Sequence, residues 1–192
     1  MAAMSSIELR DEQKQTIVAC ARSSIRQALQ GQWVQRPAEA LSDEKAATFV
    51  TLKLKGELRG CIGSLRASQP LLLDVWQNAY HAAFHDPRFS PVTAAEFDKI
   101  SIEVSVLTPA VALNIDSEEE LRDILRPGID GVILEDGLHR ATFLPAVWDT
   151  LPQKKDFLLH LKRKAGLPDN YWSPSVQVSL YQAIKCTESP DY

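Results

Sequence analysis

One cysteine stands between two glycines in the run Leu58-Arg59-Gly60-Cys61-Ile62-Gly63, with an arginine two positions before it. A guanidinium that near favours the thiolate over the thiol. Gly60 and Gly63 let another backbone, or a ligand, come close. Two chemistries follow. Cys61 can serve as a nucleophile or redox thiol, with Arg59 holding the developing anion. Alternatively the thiol is a small packed side chain, and Arg59 binds a ligand carboxylate or phosphate through its two-pronged guanidinium.

Other groups could join this centre. Glu103 lies on a strand face polar enough to meet Arg59, as its ion-pair partner or as the group that aims it. Glu103 or Asp86 would carry the proton in a thiol mechanism, for which no histidine stands nearby in sequence as base. Asp86 and Arg88 flank Pro87 at a helix end. They can cap that end or, if the turn lies against the cysteine strand, enter the site. His81 and His85 are four apart on one helix, beside Asp74, Gln77 and Asn78. Such a pair can share a metal, but no Glu follows His81 and no third ligand is evident, so a solvated face is favoured.

The elements that must position these groups read as follows. Asp11 to Gly31 has helical spacing of Ile17, Val18, Ala21, Ile25 and Leu29, with Gly31 as the stop. Gln32 to Lys45 is a polar connection. Phe49 to Lys55 alternates as a strand, and Leu58 to Ile62 returns. The apolar pattern favours a three-residue loop, Lys55-Gly56-Glu57, which pairs Leu54 with Leu58 and Val50 with Ile62. Arg59 then lies beside Lys53 and Cys61 beside Thr51, which surrounds the thiol with at least two cations.

Pro70 to Asp86 is a helix, and Thr93 caps a short one through Phe97, with Glu96 at the capping-box position. Ile100 to Leu107 is a strand. Ser117 to Leu125 is a helix with acid at its start. Gly131 to Glu135 and His139 to Phe143 form a hairpin about Asp136-Gly137. Gln153 to Ala165 is a basic amphipathic helix, and Val176 to Ile184 is one late strand. Hairpins and helices mix without regular alternation, which predicts an α+β fold: a mixed or antiparallel sheet with packed helices.

Composition narrows the function. Net charge is −4, which argues against wrapping nucleic acid. Lys154, Lys155, Lys162, Arg163 and Lys164 could contact RNA or an acidic partner, but they also suit an exposed helix face. Cys20, Cys61 and Cys186 are far apart and form no CxxC pair, so neither a zinc site nor a disulfide framework is expected. No cofactor is expected. Free thiols, an N-terminus without a signal-peptide pattern and no apolar run near ~20 residues predict a cytoplasmic chain without membrane spans.

Four motifs in order carry a resemblance: Leu58 to Gly63; Asp86-Pro87-Arg88-Phe89-Ser90-Pro91; Gly128-Ile129-Asp130-Gly131-Val132 leading to Ala141-Thr142-Phe143-Leu144-Pro145; and Lys164-Ala165-Gly166-Leu167 before Tyr171-Trp172. The chain resembles the AMMECR-type domain, also called AmmeMemoRadiSam system protein A. The resemblance implies one α+β domain over residues 1–192, with a larger and a smaller lobe. It implies association with a Memo-like protein, similar in fold to extradiol dioxygenases, and with a radical S-adenosylmethionine enzyme. It names relatives and no reaction. The resulting expectation is an accessory protein holding a small anionic ligand or a partner through Lys53, Arg59, Gly60, Gly63, Asp86 and Arg88. The thiol enzyme, using Cys61, Arg59 and Glu103, is the alternative, and an RNA-modification factor using the basic helix is the third reading, ranked below both.

Overall fold

The computed structural model describes residues 9–34 and 44–188. Most of the predicted connection from Gln32 to Lys45 lies outside the described residues. The described residues divide into two compact units, one of residues up to 107 together with 184–188, the other of residues 108–183.

The first unit is a sheet with two long helices packed on it. Its helices are α1 (Asp11–Leu29), α2 (Leu71–Phe84) and the single turn α3 (Ala94–Phe97). Its strands are β1 (Lys45–Leu54), β2 (Glu57–Gly63), the short β3 (Gln69–Pro70), β4 (Ile100–Leu107) and β9 (Ala183–Thr187). The order is β2-β1-β4-β9, with β3 also paired to β1. Strand β1 runs antiparallel to β2, β3 and β4. Alternation decides which face is dry. Val50 and Leu52 on β1, and Ile102, Val104 and Val106 on β4, meet Ile17, Ala21 and Ile25 of α1 and Val75, Trp76 and Ala79 of α2. Burying a side chain of this size is worth about 1.5–3 kcal/mol, so this face holds the unit together. Cys20 and Cys186 belong to the same core. Cys186 is wholly enclosed, and burial pushes its thiol up to about 11.

The hairpin departs from the expected register. Leu54 faces Glu57 across a two-residue loop, Lys55-Gly56. Both loop residues have positive φ, 53° and 85°, the backbone of a type I′ turn whose twist matches that of the strands. Lys53 faces Leu58, Leu52 faces Gly60, and Arg59 is the extra residue of a bulge between them. The bulge restores the apolar pattern, so Thr51 still faces Cys61 and Val50 still faces Ile62. Arg59 is therefore not beside Lys53. Lys55 carries the steric cost of left-handed backbone. Lys55→Asn should raise the unfolding free energy by roughly 0.5–1 kcal/mol. A urea midpoint at or below that of the parent would refute this.

The second unit holds β5 (Val111–Ala112), α4 (Glu118–Ile124), β6 (Gly131–Asp136), β7 (His139–Phe143), a 3-10 turn (Pro145–Asp149), α5 (Lys154–Lys164) and β8 (Gln177–Tyr181). Its sheet order is β5-β8-β6-β7, with antiparallel pairing throughout. Asp136 faces His139, so the hairpin turns on Gly137-Leu138, one residue later than predicted. Trp148 stacks on Phe157 at 3.7 Å in the middle of the core. The predicted late strand is two strands in two sheets. Gln182 separates them, its N–H held by Thr108 Oγ1 and its carbonyl accepting from Thr108 N–H. Antiparallel sheets with packed helices make the fold α+β. Among the described residues, no helix is long and apolar enough to cross a membrane.

Candidate functional site

Strand β2 is the end strand of its sheet, and Cys61 turns both backbone groups away from β1. Its N–H donates to Asp86 Oδ2 at 2.9 Å, and its carbonyl accepts from Arg88 Nη2 at 3.2 Å. The Asp-Pro-Arg turn after α2 thus occupies the sheet edge where another strand would pair. Asp86 is 4% exposed and also accepts from Arg88 N–H, Nε and Nη2. The Arg88 hydrogen bond, helped by the Cys61 and Arg88 N–H groups, holds the Asp86 carboxyl well below the usual carboxylate range.

Arg59, 9% exposed, leaves the bulge towards the α3 cap. Its Nε and Nη2 donate to the two carboxylate oxygens of Glu96, at 2.9 and 3.2 Å. Glu96 simultaneously caps α3, accepting from Thr93 N–H and Oγ1 at 2.9 Å each. The Arg59 bond, then the Thr93 N–H, bring the Glu96 carboxyl down to about 2. The expected Arg59–Glu103 pair does not form, because the bulge turns Arg59 away from that face. Glu103 pairs instead with Lys53 at 3.7 Å. Arg59 Nη1 is buried without a hydrogen-bond partner, and the Phe89 ring lies 6.0 Å from the guanidinium carbon.

The thiol itself lies on the other face of the sheet. Cys61 Sγ is 3.3 Å from Thr51 Oγ1, and Thr51 faces Glu103 on β4. A thiol, a hydroxyl and a carboxylate therefore stand in one row across three strands. Two half-exposed cations border it: Lys53 along β1, 42% exposed, and Arg88 at the β2 edge, 54% exposed. Arg59, Arg88 and Lys53 each have a carboxylate partner, so the cationic surroundings expected for the thiol are neutralised pair by pair. The space beside both motif glycines is filled from within. A Cβ on Gly60 would lie 2.2 Å from the Ala82 carbonyl oxygen, and one on Gly63 would lie 2.3 Å from the Phe49 ring.

Sequence reading missed one buried centre. Asp74 and Asn78, expected on a polar stripe with the histidines, face β1 instead. Asp74 accepts from Thr48 N–H and Oγ1, Ser64 Oγ, Gln69 Nε2 and Asn78 Nδ2. Thr48 on an otherwise apolar β1 face was the available signal. The basic helix α5 is also largely committed within its unit. Lys154 donates to the Arg122 carbonyl, Lys162 pairs with Glu118, Arg163 with Asp169, and Lys164 donates to the Thr142 carbonyl.

The depressed carboxyls imply acid sensitivity in the first unit. Glu96 gains its pairing only in the folded chain, so its stabilisation is complete above about pH 4.5 and is lost as pH falls towards 2. Asp86 adds loss in the same direction at the acid end. Urea midpoints should fall steadily across that window. A flat profile would mean that neither carboxylate is paired in solution.

Comparison with known proteins places the family and the fold. The AMMECR1 family pattern matches residues 18–186. A protein of Methanothermobacter thermautotrophicus is 40% identical over 183 residues, covering 91% of this chain and 93% of its own. Protein MJ0810 of Methanocaldococcus jannaschii is 38% identical over 149 residues, covering 73% and 72%. The crystal structure of the uncharacterized protein PH0010 from Pyrococcus horikoshii superposes with a TM-score of 0.84 at 33% identity, covering 92% of each chain. With its glycine-flanked cysteine, its Asp-Pro-Arg edge clamp and this fold together, the chain belongs to the AMMECR1 family.

Proposed function

We propose that the chain is a cytoplasmic accessory protein that binds a small anionic ligand, or an acidic partner group, over the Cys61–Thr51–Glu103 row. It would serve a pathway that also uses a Memo-like and a radical S-adenosylmethionine protein. One observation carries the choice of binding over thiol catalysis: each cation near Cys61 already has a carboxylate partner. Among the described residues, Thr51 and not a histidine is hydrogen-bonded to the thiol. A nucleophile needs a base or an unbalanced positive field. Binding needs less. Lys53 and Arg88 keep exposed donors beside a rigid edge, and a guanidinium already held by one carboxylate presents its outer nitrogens in fixed geometry.

A second reading, Cys61 as nucleophile, draws on the nearness of Arg88, whose guanidinium donates to the Cys61 carbonyl at 3.2 Å. One experiment separates them. Small di- and tricarboxylates and phosphates are screened by thermal shift on the parent, Cys61→Ser, Lys53→Ala and Arg88→Ala proteins. The binding reading expects stabilisation retained within about twofold in affinity by Cys61→Ser and weakened about tenfold or more by either cation variant. Ligand stabilisation that vanishes with Cys61→Ser, together with a covalent mass increase on Cys61, would hand the site to the thiol enzyme.

A further inference from the structure

On the far side of α2 from the sheet, five rings gather at its last turn. Trp33 stacks on Tyr80 at 4.3 Å, and Tyr80 contacts His81, Phe84 and His85 at 5.1–5.7 Å. His81 and His85 are both exposed. The helical turn that joins them is closed by their own backbone, His85 N–H donating to the His81 carbonyl at 2.8 Å. Their ring centres lie 5.6 Å apart, inclined at 71°.

We propose that His81 and His85 form a two-imidazole site for a divalent d-block cation such as Zn²⁺, Ni²⁺ or Cu²⁺. Spacing is the first argument. Two imidazoles sharing one tetrahedral ion at ~2.0–2.1 Å place their ring centres about 5 Å apart. Position is the second. The pair ends a 14-residue helix, where the unsatisfied carbonyls and the negative end of the dipole favour a cation. Preorganisation is the third. Tyr80 packs against both rings, which limits the rotamers that each must give up on binding.

Among the described residues no cluster of three or more His, Cys, Asp or Glu is placed to hold a metal ion. The chain therefore fills two coordination positions and leaves the others to water or an incoming donor. Nitrogen donors of this kind follow the Irving–Williams order, with Cu²⁺ bound more tightly than Ni²⁺ or Zn²⁺.

The test is calorimetric titration of the reduced full chain with Zn²⁺, Ni²⁺ and Cu²⁺, repeated on His81→Ala, His85→Ala and Cys61→Ser. Both histidines are exposed, so their variants should fold, as far-ultraviolet circular dichroism will verify. Each histidine variant is expected to weaken the tightest site at least tenfold, and Cys61→Ser to leave it unchanged. Cu²⁺ should also quench Trp33 fluorescence in the parent and not in either histidine variant. A tightest site that survives either histidine substitution, or that disappears with Cys61→Ser, overturns the proposal. So does a parent protein that binds none of the three ions more tightly than its histidine variants.

Discussion

Glu96→Ala should destabilise the first unit by about 3–5 kcal/mol, the cost of leaving a buried charge without its partner. The reason lies with Arg59 more than with Glu96. Arg59 is almost fully enclosed, its Nη1 already has no hydrogen-bond partner, and its Nε and Nη2 both depend on Glu96. Without that carboxylate, the guanidinium keeps one long bond, Nη2 to the Pro91 carbonyl at 3.4 Å. The same substitution removes the cap of α3, which costs a further ~0.5–2 kcal/mol. Glu96→Gln keeps an acceptor for Thr93 and loses the charge, so it should fall between. A double-mutant cycle with Arg59→Leu isolates the pair. The double variant should be more stable than Glu96→Ala alone, because it removes the stranded cation. A single-variant loss below about 1 kcal/mol would show that Arg59 is solvated and not buried.

Gly60→Ala is the second large effect. The new Cβ would be driven against the Ala82 carbonyl oxygen and also close to its carbon. Both atoms are backbone in the last turn of α2, so no side-chain rotation can relieve the clash. The strand or the helix must move, and Cys61, one residue on, moves with it. We expect a loss of about 3 kcal/mol or more, or roughly 6–12 °C in melting temperature for a chain of this size. Gly56→Ala is the control. It has open space and only its positive φ to contend with, so about 1 kcal/mol is expected. Equal losses at the two positions would mean that the sheet and α2 are not in contact at Gly60.

These two residues also show where sequence reading stops. Periodicity was enough for α1, α2, β4 and the first hairpin, because each buries one face and its apolar spacing must match its geometry. Local chemistry was enough for the Thr93–Glu96 cap, since both partners lie within one turn. Register was harder. An apolar pattern can be satisfied by an odd loop or by a tight turn followed by a bulge, and the two differ only in where Arg59 ends up. The type I′ turn at Lys55-Gly56, whose twist matches that of the flanking strands, decided it in spite of the steric cost at Lys55. Once Arg59 became the bulged residue, its partner changed from Glu103 to Glu96. The late strand failed for a similar reason. Val176, Val178 and Leu180 alternate with Gln177 and Ser179 as in a single strand, and nothing local marks Gln182 as the place where one sheet ends and another begins.

By itself, the sequence determined the α+β class, the family, and the importance of the cysteine run and the Asp-Pro-Arg run as separate motifs. Both rest on residue types and short spacings, which a chain displays before it folds. Only the tertiary structure brought those motifs into contact. Asp86 and Arg88 reach Cys61 across 25 and 27 residues, and Arg59 reaches Glu96 across 37. Such pairings depend on how α2 lies on the sheet, which is fixed by burial and close packing summed over the whole core. The same packing paired with Glu96 the arginine that the sequence alone places near enough to activate the thiol.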